Sequence, residues 1–417
     1  MNILYINHYA GSPNHGMEYR TYYFAKSWQN KGHKVNIISS SYSHLRKKQP
    51  KRVKYSILYW IEEIDGISYT WYRTPKYYKN GIKRFINILT FLILVLFDSP
   101  RIIKNLKPDV VIASSTYPLD IWLARYISIK GKAKLIFELH DIWPLSPIQI
   151  NGMSPNNPFI KLCSFAEKIA YTKSDLIVSM LPCIDKYISL KNFKVKNLTI
   201  IPNGYYTKNY NLELLKLPSN LDNFLTTCKR QNKFIVIYCG SHGIPNSLDN
   251  LINAANLLRN DKNICFCLVG EGLEKKKLSL SIKQNNLMNV MMFKSIPLKS
   301  VNLLLSKCDI GYIGAPKCSL YKYGISPNKL LDYMYAQLPI ICSIEAGNDI
   351  VSDANCGSSI SSENPEKLSQ EILRFKSMEE KELKKLGLNG KRYIEKNYSY
   401  EKLSQKFLES IYDLYKK

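Results

Sequence analysis

The chain lacks the cysteine patterns of metal-binding and disulfide-rich proteins. Ten cysteines occur among 417 residues, but no C-x-x-C pair and no zinc-like spacing is present. Cys265 and Cys267 alternate within an apolar run, which favours a role in core packing. No secretory signal is visible. We therefore expect reduced thiols in a cytoplasmic protein.

Acidic residues are scarce relative to basic ones. The chain has 33 Asp and Glu against 59 Lys and Arg, a formal net charge of +26. This balance favours anionic partners such as nucleotide phosphates, a lipid pyrophosphate or an acidic membrane face. The alternative is an ordinary solvated basic surface. Because the basic residues are dispersed and no recognition motif is present, we do not expect nucleic acid as a partner.

No apolar run reaches the ~20 residues that a membrane-spanning helix needs. The longest run covers residues 85–97 and lies within a predicted helix over residues 81–105. Such a helix could lie at a membrane surface or cover a parallel sheet as a core helix. We expect peripheral attachment to the inner face of the cytoplasmic membrane. Basic residues flank the run on both sides: Lys79, Lys83 and Arg84 precede it, and Arg101, Lys104 and Lys107 follow it.

Apolar strands alternate with amphipathic helices in both halves, which predicts a doubly wound α/β fold. Strands are predicted at residues 3–6, 34–38, 67–72, 110–113, 134–138, 176–178, 198–201, 234–238, 264–269, 290–293, 310–312 and 340–342. Helices are predicted at residues 17–30, 81–105, 119–129, 158–171, 183–190, 247–258, 273–285, 298–307, 328–336, 365–375, 379–396 and 401–415. No internal repeat or low-complexity segment is visible.

The length of the chain suits two domains rather than one core. We place an N-terminal domain at residues 1–205 and a C-terminal domain at residues 206–398. The polar stretch after the boundary has the composition of a linker with a helical insertion. A last segment, residues 399–417, is predicted to be a helix that returns to the N-terminal domain.

The most informative segment is Tyr323-Gly-Ile-Ser-Pro-Asn-Lys-Leu-Leu-Asp-Tyr-Met334. Ser326 can cap a helix, Pro327 suits its first turn, and Asn328 follows. The N-terminus of a helix favours phosphate because free N–H groups and the positive dipole end point outward. The segment therefore predicts a phosphate site.

Two charged residues extend this prediction. Lys329 adds a formal positive charge at the same helix end. Asp332 lies three residues on, nearly in line with Lys329, and can accept hydrogen bonds from a sugar hydroxyl. A phosphate site and a diol acceptor one turn apart suit a nucleotide sugar.

The segment resembles the nucleotide-sugar signature of family-four retaining glycosyltransferases. The resemblance implies the GT-B fold, with two Rossmann-like doubly wound domains facing a cleft. Asp332 takes the place of the second Glu of the signature, which binds the ribose hydroxyls in the family. Gly324 stands where the first Glu, a donor-sugar contact, would be. The variant is similar to a subgroup from bacterial O-antigen and capsule clusters.

The stretch from His8 to Arg20 resembles the N-terminal loop of the family, where a Gly-rich turn meets the donor diphosphate. Gly16 then contacts the nucleotide sugar, and Glu18 and Arg20 contact the acceptor or the diphosphate from the interdomain cleft. A solvent-exposed helix charge is the alternative for both. Ile201-Pro-Asn-Gly204 resembles the family's turn at the end of the first domain, with Asn203 facing the acceptor.

Glu138-Leu-His-Asp-Ile-Trp-Pro144 follows a predicted strand end, where ligands bind in open α/β sheets. It resembles the family's His-Asp motif followed by Trp-Pro. By this resemblance His140 hydrogen-bonds the donor sugar, and Asp141 orients it or contacts the acceptor. A structural His is the alternative.

Three loops of the second half complete the predicted donor site. Tyr238-Cys-Gly-Ser-His-Gly243 resembles the family's diphosphate loop but lacks the usual Arg and Lys, which leaves Gly240 and His242 as candidates. Val269-Gly-Glu-Gly272 resembles the loop near the nucleotide base, where Gly270 and Gly272 leave room for a flat ring. Ile296 lies near the base by the same resemblance.

These patterns predict a retaining glycosyltransferase that uses a nucleotide sugar, with catalytic roles for His140, Asp141 and Lys329. UDP-sugars are favoured over GDP-sugars, and no metal or other cofactor is expected. The start of the chain is similar to transferases of N-acetyl-L-fucosamine and related aminosugars. The expected acceptor is a polyprenyl-diphosphate-linked saccharide in O-antigen or capsule synthesis. Two alternatives stay open: a GT-B-fold UDP-sugar 2-epimerase, and a catalytically inactive nucleotide-sugar-binding subunit.

Overall fold

A computed structural model describes residues 1–46, 48–51, 57–78, 81–206 and 216–416. The chain divides into two compact units. Unit 1 comprises Met1–Gly204 and Tyr400–Lys417, and unit 2 comprises Tyr205–Ser399. Each unit has its own sheet. Lys79, one of the basic residues predicted to flank the apolar helix, lies outside the described residues.

Unit 1 is built on a sheet of eight strands within the described residues. They are β1 (Asn2–Ile6), β2 (Lys34–Ser40), β3 (Tyr59–Ile64), β4 (Ile67–Tyr72), β5 (Val110–Ala113), β6 (Lys134–Leu139), β7 (Leu176–Ser179) and β8 (Leu198–Ile200). Their order is β3-β4-β2-β1-β5-β6-β7-β8. All neighbours pair in parallel except β3, which runs antiparallel to β4.

Seven α-helices of unit 1 are described. They are α1 (Arg20–Asn30), α2 (Ile82–Leu106), α3 (Asp120–Gly131), α4 (Leu145–Asn151), α5 (Pro158–Lys173), α6 (Ile184–Leu190) and α15 (Tyr400–Lys416). The last helix packs on α1, where Phe407 meets the ring of Trp28 and the indole N–H of Trp28 donates to the Ser404 carbonyl over 3.1 Å. The C-terminal helix therefore completes the core of unit 1.

Unit 2 is built on a fully parallel sheet. Its strands are β9 (Phe234–Cys239), β10 (Ile264–Val269), β11 (Val290–Phe293), β12 (Ile310–Gly314), β13 (Ile340–Ser343) and β14 (Gly357–Ile360). Their order is β11-β10-β9-β12-β13-β14. Strands β9, β10 and β12 are almost wholly buried, as expected of parallel strands covered on both faces.

The helices of unit 2 connect these strands and cover the sheet. They are α7 (Ser219–Arg230), α8 (Leu248–Leu257), α9 (Lys275–Gln284), α10 (Val301–Leu305), α11 (Asn328–Tyr335), α12 (Ile350–Asp353), α13 (Pro365–Lys376) and α14 (Glu380–Asn397). Because the strands are parallel, their carboxyl ends meet at one edge of the sheet. The loops at this edge are therefore brought together, which positions the predicted donor residues.

The structure confirms the predicted α/β class and most predicted elements. It adds β3, α4, α12 and β14, which the sequence patterns did not indicate. Strand β3 lies at the edge of its sheet and is only partly buried, so its apolar pattern is weak. The helix predicted at residues 298–307 is instead a 3-10 turn, Leu298–Ser300, followed by the short α10.

Candidate functional site

Lys329 lies at the carboxyl edge of the sheet of unit 2, at the second position of α11. Its Nζ donates to the hydroxyl of Tyr238 over 2.9 Å and to Oδ1 of Asn246 over 2.5 Å. The ammonium also lies 4.4 Å from the centre of the Tyr238 ring. Burial lowers the pKa of Lys329 to about 8. The lysine is therefore held in place by neutral groups, and its charge has no carboxylate partner among these contacts.

The loop after β9 is shaped around this lysine. A Cβ on Gly240 would lie 2.9 Å from Cε of Lys329, closer than real Cβ atoms come to another atom. The loop is tied together by Ser241, whose carbonyl accepts from Tyr238 over 2.6 Å and from the Asn246 amide over 2.9 Å. The structure thus brings Gly240 and Lys329 together, although they are 89 positions apart in the sequence.

His242 is fully buried beside the same loop. Neither Nδ1 nor Nε2 has a hydrogen-bond partner among the described residues. Burial lowers the pKa of His242 to about 4, and Lys275 contributes to this shift, so the ring is neutral near pH 7. A buried imidazole without partners has lost its hydrogen bonds to water, and no protein hydrogen bond replaces them. Its polar atoms are therefore available to a ligand.

The loop after β10 packs directly against His242. A Cβ on Gly270 would lie 3.0 Å from Nε2 of His242 and 1.8 Å from the Gly240 carbonyl oxygen. A Cβ on Gly272 would lie 2.2 Å from the His242 carbonyl oxygen. Lys275 secures this loop by donating to the Gly270 carbonyl over 2.8 Å. Both glycines are needed for the two loops to approach each other.

The start of α11 differs from the sequence prediction. The helix begins at Asn328, Pro327 occupies the N-cap, and no side chain caps the helix. The capping role predicted for Ser326 is therefore wrong, because Ser326 lies one residue before the cap. Asn328 is exposed at the first helical position, and Asp332 is exposed one turn after Lys329.

Gly324, where the family has a Glu, has a backbone conformation that excludes other residues. Its φ is 96° and its ψ is 161°, a region that only glycine occupies without strain. The adjacent Ile325 is fixed by Asn348, which exchanges hydrogen bonds of 2.8 and 3.1 Å with its main chain. A Glu could therefore adopt the backbone conformation of residue 324 only with strain.

Ile296 lies after β11, on the same edge of the sheet. Its side chain is buried in the core of unit 2, so only its main chain could meet a nucleotide base. The carbonyl of Phe293 at the end of β11 accepts from the Gly270 N–H over 3.2 Å and from Lys275 over 3.0 Å. The loop after β11 is thereby joined to the glycine loop after β10.

A buried polar network surrounds Glu138 at the carboxyl edge of unit 1. Glu138 is wholly buried and accepts from Nε of Arg20 over 2.9 Å and from the Ser114 hydroxyl over 2.7 Å. The hydroxyl of Tyr5 also donates to it. Burial alone would raise the pKa of Glu138, but Arg20 and His140 outweigh it and hold this pKa well below its usual range. Glu138 is therefore a buried anion.

His140 is oriented by this network. Its Nε2 lies 2.9 Å from the Ser114 hydroxyl and 3.3 Å from Oε2 of Glu138. If Nε2 carries the proton toward Glu138, Nδ1 is the acceptor, and within the described ranges Nδ1 has no hydrogen-bond partner. The imidazole is only 8% exposed. Its free nitrogen could accept a hydrogen bond from a substrate hydroxyl.

Asp141 follows in the turn that leads into α4. Its Oδ1 accepts from the Ile142 N–H over 2.9 Å and from the Ser146 hydroxyl. Burial raises the pKa of Asp141, although these hydrogen bonds oppose the shift. These hydrogen bonds of Asp141 hold the turn together, which supports the adjacent His140.

Arg20 supports the Glu138 network rather than an exposed surface. Its guanidinium is 3% exposed and also donates to the carbonyls of Ile201 and Pro202 over 2.7 and 2.6 Å. These partners hold Arg20 beside Glu138, and its contact with the acceptor or diphosphate stays a prediction. Asn203 follows the same segment and is buried.

Gly16 and Glu18 lie in the loop before α1. Gly16 has a φ of 89° and its N–H donates to the Ser12 carbonyl over 2.8 Å, closing a tight turn. Glu18 is half-buried, and its carbonyl accepts from the Gly11 N–H over 3.0 Å. The loop is thus ordered by its own main chain.

The partners that hold the predicted residues were not identified from sequence. Tyr238 and Asn246 fix Lys329, and Glu138 fixes His140. A signal existed for Glu138, because a carboxylate inside an apolar strand must be paired. No local pattern marks Tyr238 or Asn246. Among the described residues, no group of three or more His, Cys, Asp or Glu side chains could hold a metal ion.

Two families match the chain, one over most of each unit. Residues 14–209 match Glycosyltransferase Family 4, and residues 226–393 match Glycosyl transferases group 1. The second match contains the loops after β9 and β10 together with α11. The first contains Glu138 together with Arg20, Ser114 and His140.

Curated proteins and solved structures agree with these matches. The probable glycosyltransferase WbjE of Pseudomonas aeruginosa is 20% identical over 76% of this chain and 77% of its own length. Anabaena HepE, solved in complex with UDP-glucose, has a TM-score of 0.68 at 14% identity, covering 99% of both chains. WaaG, a glycosyltransferase involved in lipopolysaccharide biosynthesis, has a TM-score of 0.64 at 15% identity, covering 97% of this chain and 98% of its own. The chain is a nucleotide-sugar-dependent glycosyltransferase of the family 4 and group 1 type, with the GT-B fold.

Proposed function

We propose that this enzyme transfers a sugar, with retention of configuration, from a nucleoside-diphosphate sugar to a polyprenyl-diphosphate-linked saccharide. The observation that supports the donor half is Lys329, in the first turn of α11, whose hydrogen-bond partners among the described residues are the neutral Tyr238 and Asn246. A buried cation without an anion favours a phosphate ligand. HepE binds UDP-glucose on the same fold, which supports UDP as the nucleotide.

The chemistry follows from the charge that builds on the leaving group. The bond from the anomeric carbon to the diphosphate breaks, and negative charge develops on the diphosphate oxygens. Lys329 is proposed to stabilise that charge, whereas the N–H groups of Gly240 and His242 already donate to the carbonyls of Val269 and Glu271. The neutral ring of His242 supplies a further hydrogen bond where the family usually has a cation.

Retention is proposed to occur by substitution on the same face of the sugar. The acceptor hydroxyl forms the new bond to the anomeric carbon, and its proton passes to the departing diphosphate. His140 is proposed to orient the donor sugar through Nδ1, because Nε2 is held by Ser114 and Glu138. Asp141 supports this turn. Asp332, exposed one turn after Lys329, is proposed to bind the ribose hydroxyls.

A lipid-linked acceptor is supported by the surface of α2. This helix is long and apolar enough to cross a membrane by length and composition, with a mean hydropathy of 1.8 over its most apolar 18 residues. One side packs into unit 1 through Asn87, Phe91 and Val95. We therefore propose that it lies along a bilayer surface rather than through it.

The helices next to α2 extend the same surface. Helix α2 contacts α3, and α3 contacts α5. The three acidic residues of these helices are buried or paired, so their exposed charges are all positive. Anionic lipid attracts such a surface. The exposed apolar residues are Ile82, Ile86, Ile93, Leu96, Phe97, Tyr126, Ile129 and Phe165. The exposed basic residues are Lys83, Lys104, Arg125, Lys130, Lys161, Lys168 and Lys173.

We propose that the product enters O-antigen or capsule synthesis on the cytoplasmic side of the membrane. WaaG, which has the same fold, is involved in lipopolysaccharide biosynthesis. The putative colanic acid biosynthesis glycosyl transferase WcaI of Escherichia coli is 36% identical to this chain over an aligned stretch of 80 residues. An N-acetylated deoxy-aminosugar, such as N-acetyl-L-fucosamine, is the proposed donor sugar.

A donor screen tests this proposal. Purified protein is incubated with UDP- and GDP-sugars, with and without a synthetic polyprenyl-diphosphate GlcNAc acceptor and with and without EDTA. We expect UDP release that requires the acceptor and survives EDTA, and NMR of the product should give the retained configuration. Conversion of the donor without an acceptor would favour the 2-epimerase. UDP binding without turnover of any pair would favour the inactive subunit.

A further inference from the structure

A second basic cluster lies in unit 1, where β1 and β2 end and α2 begins. Arg84, in the first turn of α2, donates through Nε and Nη2 to the hydroxyl of Tyr9 over 3.1 and 2.9 Å. Its guanidinium carbon lies 5.4 Å from the centre of the Tyr9 ring. Tyr9 is buried, whereas Arg84 is only half-buried. The tyrosine therefore holds the guanidinium at the surface.

His44 lies beside this pair. Its ring centre is 6.0 Å from that of Tyr9 and 5.4 Å from that of Tyr77. Its Nδ1 lies 2.7 Å from the Tyr77 hydroxyl. His44 is exposed although both tyrosines are buried. An imidazole with one nitrogen fixed in this way can present the other to a ligand.

A third basic residue, Arg46, is buried without enough partners. It is 4% exposed, and its Nη2 donates to the Ser40 carbonyl over 2.6 Å. Nε and Nη1 have no hydrogen-bond partner in the described part of the chain. The guanidinium lies 4.8 Å from the centre of the Trp71 ring, and burial lowers its pKa to about 9. Such a charge is costly unless an anion compensates it.

The charges that act on His8, at the end of β1, are basic. Burial lowers the pKa of His8 well below its usual range, and Arg46, Arg84 and His44 lower it further. Partial burial of its ring also lowers the pKa of His44 to about 4, with a contribution from Arg84, so the positive charge here is that of the two arginines. The cluster therefore carries a positive potential at the carboxyl edge of the sheet, the edge where open α/β sheets bind ligands.

We propose that Arg84 and His44, reinforced by the charge of Arg46, form an anion site for the diphosphate of the lipid-linked acceptor. The inference rests on the proposed function, since it names the group that the acceptor presents. Arginine suits phosphate because its planar fork can bond two oxygens. Arg84 also lies between the exposed Ile82 and Ile86 at the start of the apolar surface of α2. A polyprenyl chain and its headgroup would thus be bound by adjacent residues.

Titration calorimetry with geranyl diphosphate tests the site. Saturating UDP is present throughout to occupy the donor site, and UDP affinity is measured in separate titrations of the same protein preparations without added UDP. We expect Arg84→Gln to weaken geranyl diphosphate binding about tenfold to a hundredfold, the effect of losing a charged hydrogen-bond donor. His44→Gln, at an exposed position, should weaken it less. The matched control is Lys34→Gln, an exposed lysine at the opposite end of β2, which should bind like wild type.

The outcomes separate this site from the donor site. Equal geranyl diphosphate affinity in wild type and Arg84→Gln, with UDP binding intact, would overturn the anion site and leave the proposed function standing. Inorganic pyrophosphate binding as tightly as geranyl diphosphate would overturn the assignment to a lipid headgroup. If the wild type did not bind UDP, the proposed function would be contradicted, whatever the result with geranyl diphosphate.

Discussion

The Nζ of Lys329 lies 2.9 Å from the hydroxyl oxygen of Tyr238 and 4.4 Å from the centre of its ring. The two residues are 91 positions apart. Tyr238 is the penultimate residue of β9, and Lys329 is the second residue of α11, so this contact joins the two segments that form the candidate diphosphate site. The contact fixes a cation without neutralising it, because a tyrosine offers only a lone pair and a π face.

The lowered pKa of Lys329 predicts a pH dependence. Lysine is charged below its pKa, and burial lowers that pKa to about 8. The kcat/KM for the donor should therefore fall about tenfold per pH unit above about pH 8. Lys329→Arg keeps its charge over this pH range. Its kcat/KM should therefore be lower than that of wild type but should not change with pH. An identical fall in both enzymes would show that another group titrates.

Gly324 should not accept the Glu that the family has at this position. At a φ of 96°, Gly324→Glu and Gly324→Ala should each lower the free energy of unfolding by about 1–3 kcal/mol. Neither should raise the turnover of any donor. Thermal denaturation and donor turnover measure the two effects.

The control is Gly131→Ala at the end of α3, where an added Cβ meets its nearest neighbour at 3.7 Å. This variant should be as stable as wild type or slightly more so. If Gly324→Glu were stable and more active, the backbone argument would be wrong.

Removing Arg20 should destabilise unit 1 by leaving Glu138 as an uncompensated buried anion. We expect Arg20→Met to cost about 3–5 kcal/mol, measured by denaturant unfolding. Adding Glu138→Gln should recover part of this loss. Lys196→Met, which breaks an exposed pair with Asp175, should cost no more than about 1 kcal/mol. Equal losses in the two single variants would contradict the proposed importance of the buried network.

Phe97 tests the membrane surface because its side chain is 79% exposed on α2. Phe97→Glu should weaken binding to phosphatidylglycerol vesicles about tenfold or more, since it removes apolar area and adds a repelled charge. Leu190→Glu changes an exposed apolar residue on α6 and should bind like wild type. Vesicle co-sedimentation measures both. If Phe97→Glu bound the vesicles as tightly as wild type, α2 would not be part of the membrane-binding surface.

Local sequence patterns are sufficient to predict the strands but not the side-chain contacts between distant segments. Strand β10 consists entirely of apolar residues, so its bounds were predicted correctly. Arg20 and Glu138 are 118 positions apart, and the spacing of apolar residues in α1 could not show that Arg20 points into the core. The sequence also did not fix the start of α11. Serine is a common N-cap residue, but Ser326 lies one residue before the N-cap.

The central claim is that Lys329 binds the donor diphosphate, and titration calorimetry with UDP tests it most directly. The comparison uses wild type, Lys329→Ala, and Lys381→Ala, an exposed lysine of α14 in the same unit. We predict that Lys329→Ala weakens UDP binding about tenfold or more, the effect of losing one charged hydrogen bond, while Lys381→Ala binds as wild type does. Wild-type affinity in Lys329→Ala would contradict the account.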